Sequence, residues 1–452
     1  MVPSAEVQLP SSKEPFSRKA GSPAPTTEIL ISMEPPDYVH IDIAGWKNAQ
    51  LRHPSIYHPT DFSHVEVPTN SWKSLLEQLP KCLRALSIQA TYKEDPASAA
   101  LLTMEGLEMH LCLWKSRKSD DTIIVEIQRR RGDAVLVAQY CRKILDAVRA
   151  EHTFDESEYK TPDTTLNVKT LQHIESLINQ AISSSGERLK SPENTPTPQA
   201  HAEVALKIVH ALLGNAYRLD ERHMGFESLC IMSDPRRTII STSIATASAI
   251  LSGESPSVGT SHACQTIHTM IMKVLLKREF GDEHFELDEF MEVDSDAEAF
   301  GPSGDEDEGS NGKHPPEYVQ FMNVMFNLAL TSLVNALEVI ASFHEAEPQH
   351  YESISSMADK LLKSAAEIGK DIDIDLLQTL VDCVRRAERR QHNAYLAAKG
   401  LKYLMQASPQ IREHLLNDLK VGTEVRKAAE IGYARHALLQ AECEALFRQI
   451  SA

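Results

Sequence analysis

The stretch IIVEIQRRRGDAVLVAQYCRKILDAV, Ile123–Val148, changes from the period of a strand to the period of a helix at one turn. Ile123, Val125 and Ile127 recur with a period of two, against Glu126 and Gln128, which is typical of a strand with one buried face. The pair Gly132-Asp133 then supplies a turn and a helix cap, after which apolar residues recur every three or four positions. A strand followed directly by an amphipathic helix predicts a sheet with helices packed on one face.

The residues before this stretch predict further elements of the same unit. Apolar spacing after Ser71-Trp72 predicts a first helix, and alternation at Leu86–Tyr92 and again at Leu107–Leu113 predicts two more strands. The polar connection Lys115–Asp121 suits a hairpin loop. We therefore predict that residues 71–150 form a small α+β domain, an antiparallel sheet with flanking helices.

The quoted stretch resembles the end of the kinase-associated domain found at the C-terminus of some protein kinases. That family also ends with a strand, a basic-basic-x-Gly turn and a closing amphipathic helix. The resemblance implies a domain that binds anionic phospholipids or folds back on a kinase domain. The sequence contains no Gly-rich kinase loop, no HRD and no DFG motif, so autoinhibition of a kinase within this chain is not expected.

From residue 201 the apolar spacing is helical. A first predicted stripe comprises Val204, Ile208, Val209, Leu212 and Leu213. Later helices are predicted at residues 316–344, 350–367, 373–390, 392–406, 408–419 and 423–450. The pattern resembles armadillo-like or tetratricopeptide-like repeats, most clearly at His392–Leu419, in which each helix pair buries its apolar face by stacking on its neighbours.

The predicted fold class is therefore multidomain: a small α+β domain followed by an all-α stacked-helix, armadillo-like domain. Its predicted segments are 1–36, disordered; 37–70, an irregular lead-in; 71–150, the α+β kinase-associated-like domain; 151–200, a linker with a short helix; 201–278, the first part of the helical domain; 279–314, an acidic disordered insertion; and 315–450, the second part of the helical domain.

The negative charge is concentrated in the acidic insertion. Glu279–Gly312 contains 14 of the acidic residues and no Lys or Arg, so a formal charge of −18 for the chain leaves −4 for the rest. Because Phe285, Phe290 and Met291 lie between these carboxylates, the segment could dock on a basic groove. The alternative is a solvated loop held open by self-repulsion.

Five hydroxyl residues are candidate phosphorylation sites, three before a proline and two with an acidic residue three positions downstream. They are Ser191, Thr195, Thr197, Ser295 and Ser303. A phosphate on any of them would add a charge of about −1.5 to −2.

Basic residues are concentrated in the predicted α+β domain, where residues 73–150 hold 13 Lys+Arg against 10 Asp+Glu. The predicted lipid- or anion-binding residues are Lys115, Arg117, Lys118, Arg129, Arg130 and Arg131. They could bind anionic lipid head groups or an acidic partner, or they could be ordinary solvated charge. Nucleic acid is not expected, because Tyr92 and Trp114 are too few aromatics for a stacking platform.

A second basic group is predicted as a stripe on one helix and comprises Arg385, Arg386, Arg389 and Arg390. It could receive the acidic insertion within the same chain. The alternative is a solvated helix face.

No catalytic or cofactor motif is present: the sequence has no Gly-x-Ser-x-Gly, no Walker loop and no HExxH. No cofactor is expected, and no metal site, since His262-x-Cys264 and His268 lack a second ligand pair. Cys82 and Cys112 lie on apolar faces and are expected to pack rather than react. Seven cysteines without a CxxC motif indicate a reduced, cytoplasmic protein, with peripheral membrane or nuclear locations as alternatives.

Three functional hypotheses follow. The first is a non-enzymatic adaptor that binds protein partners through its helical domain and an anionic membrane surface or acidic partner through its α+β domain. The second is a regulatory subunit whose α+β domain contacts a kinase or another protein without lipid. The third is an enzyme with an unrecognised helical site. The oligomeric state is not predicted.

Overall fold

The structure is a computed structural model that describes residues 45–46, 49–54, 63–119, 121–149, 198–215, 218–253, 262–276, 316–343 and 376–451. The segment 1–36, residues 151–197 of the predicted linker, the acidic insertion and the predicted helix at 350–367 lie outside the described residues.

An antiparallel sheet forms the centre of the α+β domain, and its spatial order is β1-β5-β4-β3-β2. The strands are β1 (His64–Pro68), β2 (Gln89–Lys93), β3 (Ser98–Leu102), β4 (Glu108–Lys115) and β5 (Thr122–Arg131). The flanking helices are α1 (Trp72–Ala85) and α2 (Ala134–Arg149). The predicted antiparallel sheet with flanking helices is confirmed.

Strand alternation decides which face of the sheet is buried against the helices. Leu111, Leu113, Val125 and Ile127 are buried in one apolar cluster. The same cluster includes Ile144 of α2 and residues of α1. Because side chains of a strand alternate between faces, the polar residues between these positions lie on the opposite side of the sheet.

The sequence analysis did not predict two of the strands, β1 and β3. The predicted irregular lead-in, 37–70, contains β1, which pairs with β5 from His64 opposite Glu126 to Pro68 opposite Thr122. β3 was missed because its sequence, SAALL, is rich in alanine and has a weak strand propensity. Its Ala99 and Leu101 are nevertheless buried in the core.

The second part of the chain is all-α, as predicted. Its helices are α3 (Pro198–Gly214), α4 (Leu219–Ser233), α5 (Ile240–Ser252), α6 (His262–Leu275), α7 (Pro316–Phe343), α8 (Leu376–Arg385), α9 (Gln391–Ala407), α10 (Pro409–Asn417), α11 (Val421–Arg435) and α12 (Ala437–Ser451). Two of them are central: α7 packs against α4, α5, α6 and α9, and α9 packs against α7, α8, α10, α11 and α12.

Three expectations about these helices were wrong. The predicted helix at 423–450 is interrupted at His436, which separates α11 from α12. The predicted helix at 373–390 ends at Arg385, so the four-arginine stripe does not lie on one helix. The first predicted apolar stripe is also split, because Val204 and Ile208 are exposed while Val209 and Leu213 are buried.

α7 contains a long apolar stretch. Its segment Phe321–Ser342 is long and apolar enough, by length and composition, to cross a membrane. However, 61% of its most apolar window is buried within the protein, and Leu333, Leu337 and Ile340 are fully buried in the helical core. Its central place in the helical domain accounts for this composition.

The two domains are in contact. α1 packs against α11, and Met104, in the loop between β3 and β4, packs against the core of the helical domain. Because the strands are antiparallel, the end of β3, the start of β4 and the end of β5 lie at the same end of the sheet. The helical domain is therefore docked at the end of the sheet where β5 ends.

Candidate anion-binding site on the α+β domain

The six basic residues predicted to bind anions lie in two groups at opposite ends of the β4–β5 hairpin. Lys115 is opposite Ile123 next to the hairpin loop, whereas Arg131 is opposite Glu108 at the far end. At a rise of about 3.3 Å per residue, Ile123 and Arg130 are about 23 Å apart along β5. The structure therefore does not bring the six residues together into the single basic patch expected from the sequence.

The hairpin-loop group comprises Lys115, Arg117 and Lys118. The guanidinium of Arg117 donates a hydrogen bond to the carbonyl oxygen of Pro54, which holds it against the protein. Asp121, in the same loop, is exposed and partly offsets the positive charge. This end of the hairpin is therefore a weaker candidate for binding an anion.

The other group, Arg129, Arg130 and Arg131, is called the arginine tip here. These residues are the last three of β5, which therefore extends beyond the alternation predicted at Ile123–Ile127. All three are exposed. β1 is paired with β5 only as far as Glu126, so in the described part of the chain the arginine tip extends beyond the strand on that side.

Each guanidinium of the arginine tip has a weak local contact. Arg129 Nη1 donates to the carbonyl oxygen of Gly132 at 3.3 Å, and Arg130 Nη2 donates to His110 Nδ1 at 3.2 Å. Arg131 Nη1 lies 3.9 Å from a carboxylate oxygen of Glu108. Since a guanidinium carries five N–H donors, these contacts leave donors suited to the oxygens of a phosphate.

The turn after the arginine tip requires glycine. Gly132 has a φ of +107°, and a Cβ atom there would lie 2.5 Å from Cδ2 of Leu107. Asp133 then caps α2, since its Oδ1 accepts hydrogen bonds from the backbone N–H groups of Val135 and Leu136, both at 2.9 Å. The predicted Gly132-Asp133 turn and cap are confirmed.

The first turn of α2 presents two apolar side chains to solvent. Val135 is 66% exposed and Leu136 is 37% exposed. Among the described residues of the α+β domain, the large hydrophobic side chains that are exposed are these two. They follow the arginine tip after the turn at Gly132-Asp133. The sequence analysis did not identify these two residues. The signal was the apolar face of α2 that contains Val137, Cys141 and Ile144, because Val135 and Leu136 do not belong to that face.

Nucleophilic chemistry is not favoured beside this site. Burial, and to a smaller extent the nearby Glu126 carboxylate, raise the pKa of the Cys112 thiol to about 12. Arg130 lowers this pKa by a smaller amount. His110 Nδ1 must accept from the Arg130 guanidinium, which can only donate. Cys112 is therefore a neutral, buried thiol at neutral pH.

The described residues contain no group of three or more His, Cys, Asp or Glu side chains placed to hold a metal ion. His268 Nδ1 donates to the carbonyl oxygen of Ile250 at 2.7 Å, and Cys264 is buried. The five predicted phosphorylation sites, Ser191, Thr195, Thr197, Ser295 and Ser303, lie outside the described residues.

A second exposed apolar surface lies on the first two helices of the helical domain, which pack against each other. It is called the first-pair surface here and comprises Val204 and Ile208 of α3 with Leu219, Met224 and Ile231 of α4. Val204 and Ile208 are four residues apart and therefore lie on one face of α3.

Fold and site together define a two-domain protein, an α+β domain with a basic and apolar tip docked on an all-α domain. Comparison with protein-family models, with curated proteins and with solved structures gives no match for this chain.

Proposed function

We propose that this protein is a non-enzymatic adaptor that binds an anionic membrane through the arginine tip and protein partners through its helical domain. One observation carries the proposal: three exposed arginines are followed, after a single tight turn, by the exposed side chains of Val135 and Leu136. Phosphate groups and acyl chains are adjacent at a membrane surface, and basic and apolar side chains are close together in the chain here.

The energies are adequate for reversible binding. A basic residue close to an anionic leaflet contributes about 1 kcal/mol. Removing a Val or Leu side chain completely from water contributes about 1.5–3 kcal/mol. Stable attachment to a membrane generally needs two signals, one electrostatic and one apolar. The arginine tip supplies the first, and the start of α2 supplies the second.

The first-pair surface supports the second half of the proposal. Its five apolar side chains are contributed by two packed helices, an arrangement that suits an amphipathic helix or an apolar peptide. It lies in the other domain from the arginine tip, so an adaptor could bind membrane and partner with separate residues.

Co-sedimentation of the full chain with vesicles tests the membrane part. We expect binding to phosphatidylcholine vesicles that contain phosphatidylserine, weaker binding at higher salt, and no binding to phosphatidylcholine alone. The variant Arg129→Gln/Arg130→Gln/Arg131→Gln should lose at least tenfold in affinity. Lys115→Gln/Arg117→Gln/Lys118→Gln removes the same charge from the other end of the hairpin and should bind almost as wild type does.

A second variant separates the apolar contribution. Val135→Ser/Leu136→Ser should weaken binding while leaving its salt dependence unchanged, since no charge is altered. Equal losses in the two charge variants would show that net charge alone drives binding and would contradict a specific tip. Absence of binding to anionic vesicles would reject the membrane hypothesis and favour a regulatory subunit whose α+β domain contacts a protein.

A further inference from the structure

Two buried histidines lie where the α+β domain docks on the helical domain. His392 is in the first turn of α9, and His436 separates α11 from α12. They are 6% and 0% exposed, and His392 Nδ1 lies 2.9 Å from His436 Nε2. On its other side, His392 Nε2 lies 2.8 Å from the carbonyl oxygen of Leu102, at the end of β3.

The partners of the two imidazoles determine where the protons are. The Leu102 carbonyl can only accept, so His392 Nε2 carries a proton and donates to it. The backbone N–H of Leu439 donates to His436 Nδ1 at 3.1 Å, so His436 Nδ1 carries none. In neutral rings this leaves a proton on His436 Nε2, which donates to the unprotonated His392 Nδ1.

These three hydrogen bonds form one continuous chain, called the relay here, in which each N–H donates in the same direction. It runs from the Leu439 amide through His436 and His392 to the carbonyl of Leu102. Every polar atom of both rings has a partner only while both rings are neutral. A proton added to His392 Nδ1 would face the N–H of His436, and a proton added to His436 Nδ1 would face the N–H of Leu439. Either addition replaces a hydrogen bond by a contact between two donors in a buried place.

The groups around the pair come from both domains. Burial lowers the pKa of His392 to about 4. The hydrogen bond to Leu102 and the carboxylate of Glu105, in the β3–β4 loop, act in the opposite direction and raise this pKa by less. Glu105 itself accepts a hydrogen bond from Tyr140 of α2 at 3.0 Å. Burial, and then His392, lower the pKa of His436 well below its ordinary value.

On the helical side the neighbouring titratable groups are a tyrosine and an arginine. The ring of Tyr395 on α9 lies 6.2 Å from that of His436. Arg435, next to His436 in the chain, donates to the carbonyl oxygen of Glu388 at 3.3 Å. Across the junction the charged groups include Glu105, whose carboxylate is hydrogen-bonded to Tyr140, and Arg84 of α1, which donates to the side chain of Gln440 at 2.6 Å.

We propose that the junction between the two domains is a proton-sensitive joint, which the neutral His392–His436 relay holds closed and which opens when either imidazole is protonated. The joint includes the first turn of α12, because the backbone N–H of Leu438 donates to the hydroxyl of Ser87 in the α+β domain at 3.0 Å. Leu438 precedes Leu439, whose N–H begins the relay. The proposal does not depend on membrane binding by the arginine tip.

Hydrogen–deuterium exchange of the full chain, corrected for the intrinsic effect of pH, tests the joint. Between about pH 7.5 and about pH 5, His392 alone should increase the opening of the junction about 30-fold, because the open state takes up a proton with an ordinary histidine pKa of 6.5. The amides of Leu438 and Leu439 should lose protection by at least that factor. The amide of Val125, in the centre of the sheet, should not.

The double variant His392→Gln/His436→Asn keeps hydrogen-bonding groups but cannot titrate. The glutamine side chain introduced at position 392 is expected to donate to Leu102, and asparagine is among the best residues for capping the start of α12. Protection in the double variant should be independent of pH over this range, and His392→Gln alone should show a reduced dependence. His414→Gln, on α10, should behave as wild type. Unchanged protection of Leu438 and Leu439 in wild type, or an equal loss in the double variant, would overturn the proposal.

Discussion

The hydroxyl of Ser87 accepts a hydrogen bond from the backbone N–H of Leu438 at 3.0 Å, although the two residues belong to different domains. Ser87 follows α1 with a φ of 54° and is 1% exposed. Leu438 is in the first turn of α12, where backbone N–H groups have no partner within the helix. One domain thus caps a helix of the other.

Ser87→Ala should lower the free energy of unfolding by about 1 kcal/mol, since it leaves a buried helix-terminal N–H without its acceptor. Alanine keeps the Cβ atom, so the strain of the positive φ is the same in both proteins and cancels. Chemical denaturation measures the change. Ser74→Ala, at an exposed position of α1, should change stability by less than about 0.5 kcal/mol, and equal effects of the two substitutions would contradict the capping role.

The two buried histidines make stability depend on pH with a definite sign. His392 has a pKa of about 4 in the folded state and 6.5 as an ordinary histidine, so between these values the unfolded chain binds more protons. Stability should therefore fall as pH decreases from about 6.5, by about 2 kcal/mol at pH 5 from His392 alone. Urea unfolding at several pH values measures it. In His392→Gln/His436→Asn the slope should be smaller, and an identical slope would contradict the assignment.

Gly432 is required by the close approach of α11 and α12. A Cβ atom there would lie 2.5 Å from the backbone nitrogen of Gln440 and 2.8 Å from its Cα. Because backbone cannot move aside as a flexible side chain can, Gly432→Ala should destabilise the protein by about 3 kcal/mol.

Gly422→Ala is the matched control, since it makes the same change in the same helix. A Cβ atom at Gly422 would meet only Ile450, at an ordinary 3.9 Å. We expect it to be neutral or slightly stabilising. Thermal unfolding of the two variants should therefore differ clearly, and similar melting temperatures would refute the packing argument.

An ion cluster lies between α7, α9 and the α4–α5 loop, with Glu338 and Lys399 buried and Arg236 partly exposed. Glu338 is 3% exposed and accepts from Lys399 Nζ at 2.9 Å and from Arg236 Nη2 at 3.0 Å. Burial raises the pKa of Glu338, but Lys399 and Arg236 outweigh burial, so its pKa lies below the ordinary value. The cluster's stabilising effect should therefore be present above about pH 4.5 and be lost as pH falls through the folded pKa.

Lys399→Met should reduce the free energy of unfolding by about 3 kcal/mol at neutral pH, because it removes one partner of a buried carboxylate. Lys427→Met is the control: Lys427 is exposed and lies 3.9 Å from Glu424, so its loss should matter by less than about 1 kcal/mol. Adding Glu338→Gln to Lys399→Met should recover part of the loss. No recovery would indicate that packing, rather than charge, determines the effect.

Local patterns predicted the elements whose period was clear. The alternation in β4 and β5, the Gly132-Asp133 turn and the amphipathic α2 were predicted, although β5 continues to Arg131, beyond the alternation that ends at Ile127. β3 was missed because alanine carries little strand signal. The interruption at His436 was missed because the residues on either side are good helix formers, and the break is set by the packing of α12 back against α11.

The candidate site was predicted in part. The sequence identified Arg129, Arg130 and Arg131 as a basic group, because three adjacent arginines are visible in any one-dimensional pattern. It also joined them to Lys115, Arg117 and Lys118, which strand geometry places at the other end of the hairpin. The exposure of Val135 and Leu136 depends on which face of α2 meets the sheet.

Local sequence was enough to establish the fold class, an antiparallel α+β domain followed by stacked helices, because periodicity, turns and caps act over a few residues. The junction, in contrast, is a product of tertiary structure. His392 meets His436 across 44 residues and Leu102 across 290 residues of chain. No local pattern encodes such a meeting, since it depends on how two separately formed surfaces fit when the domains dock.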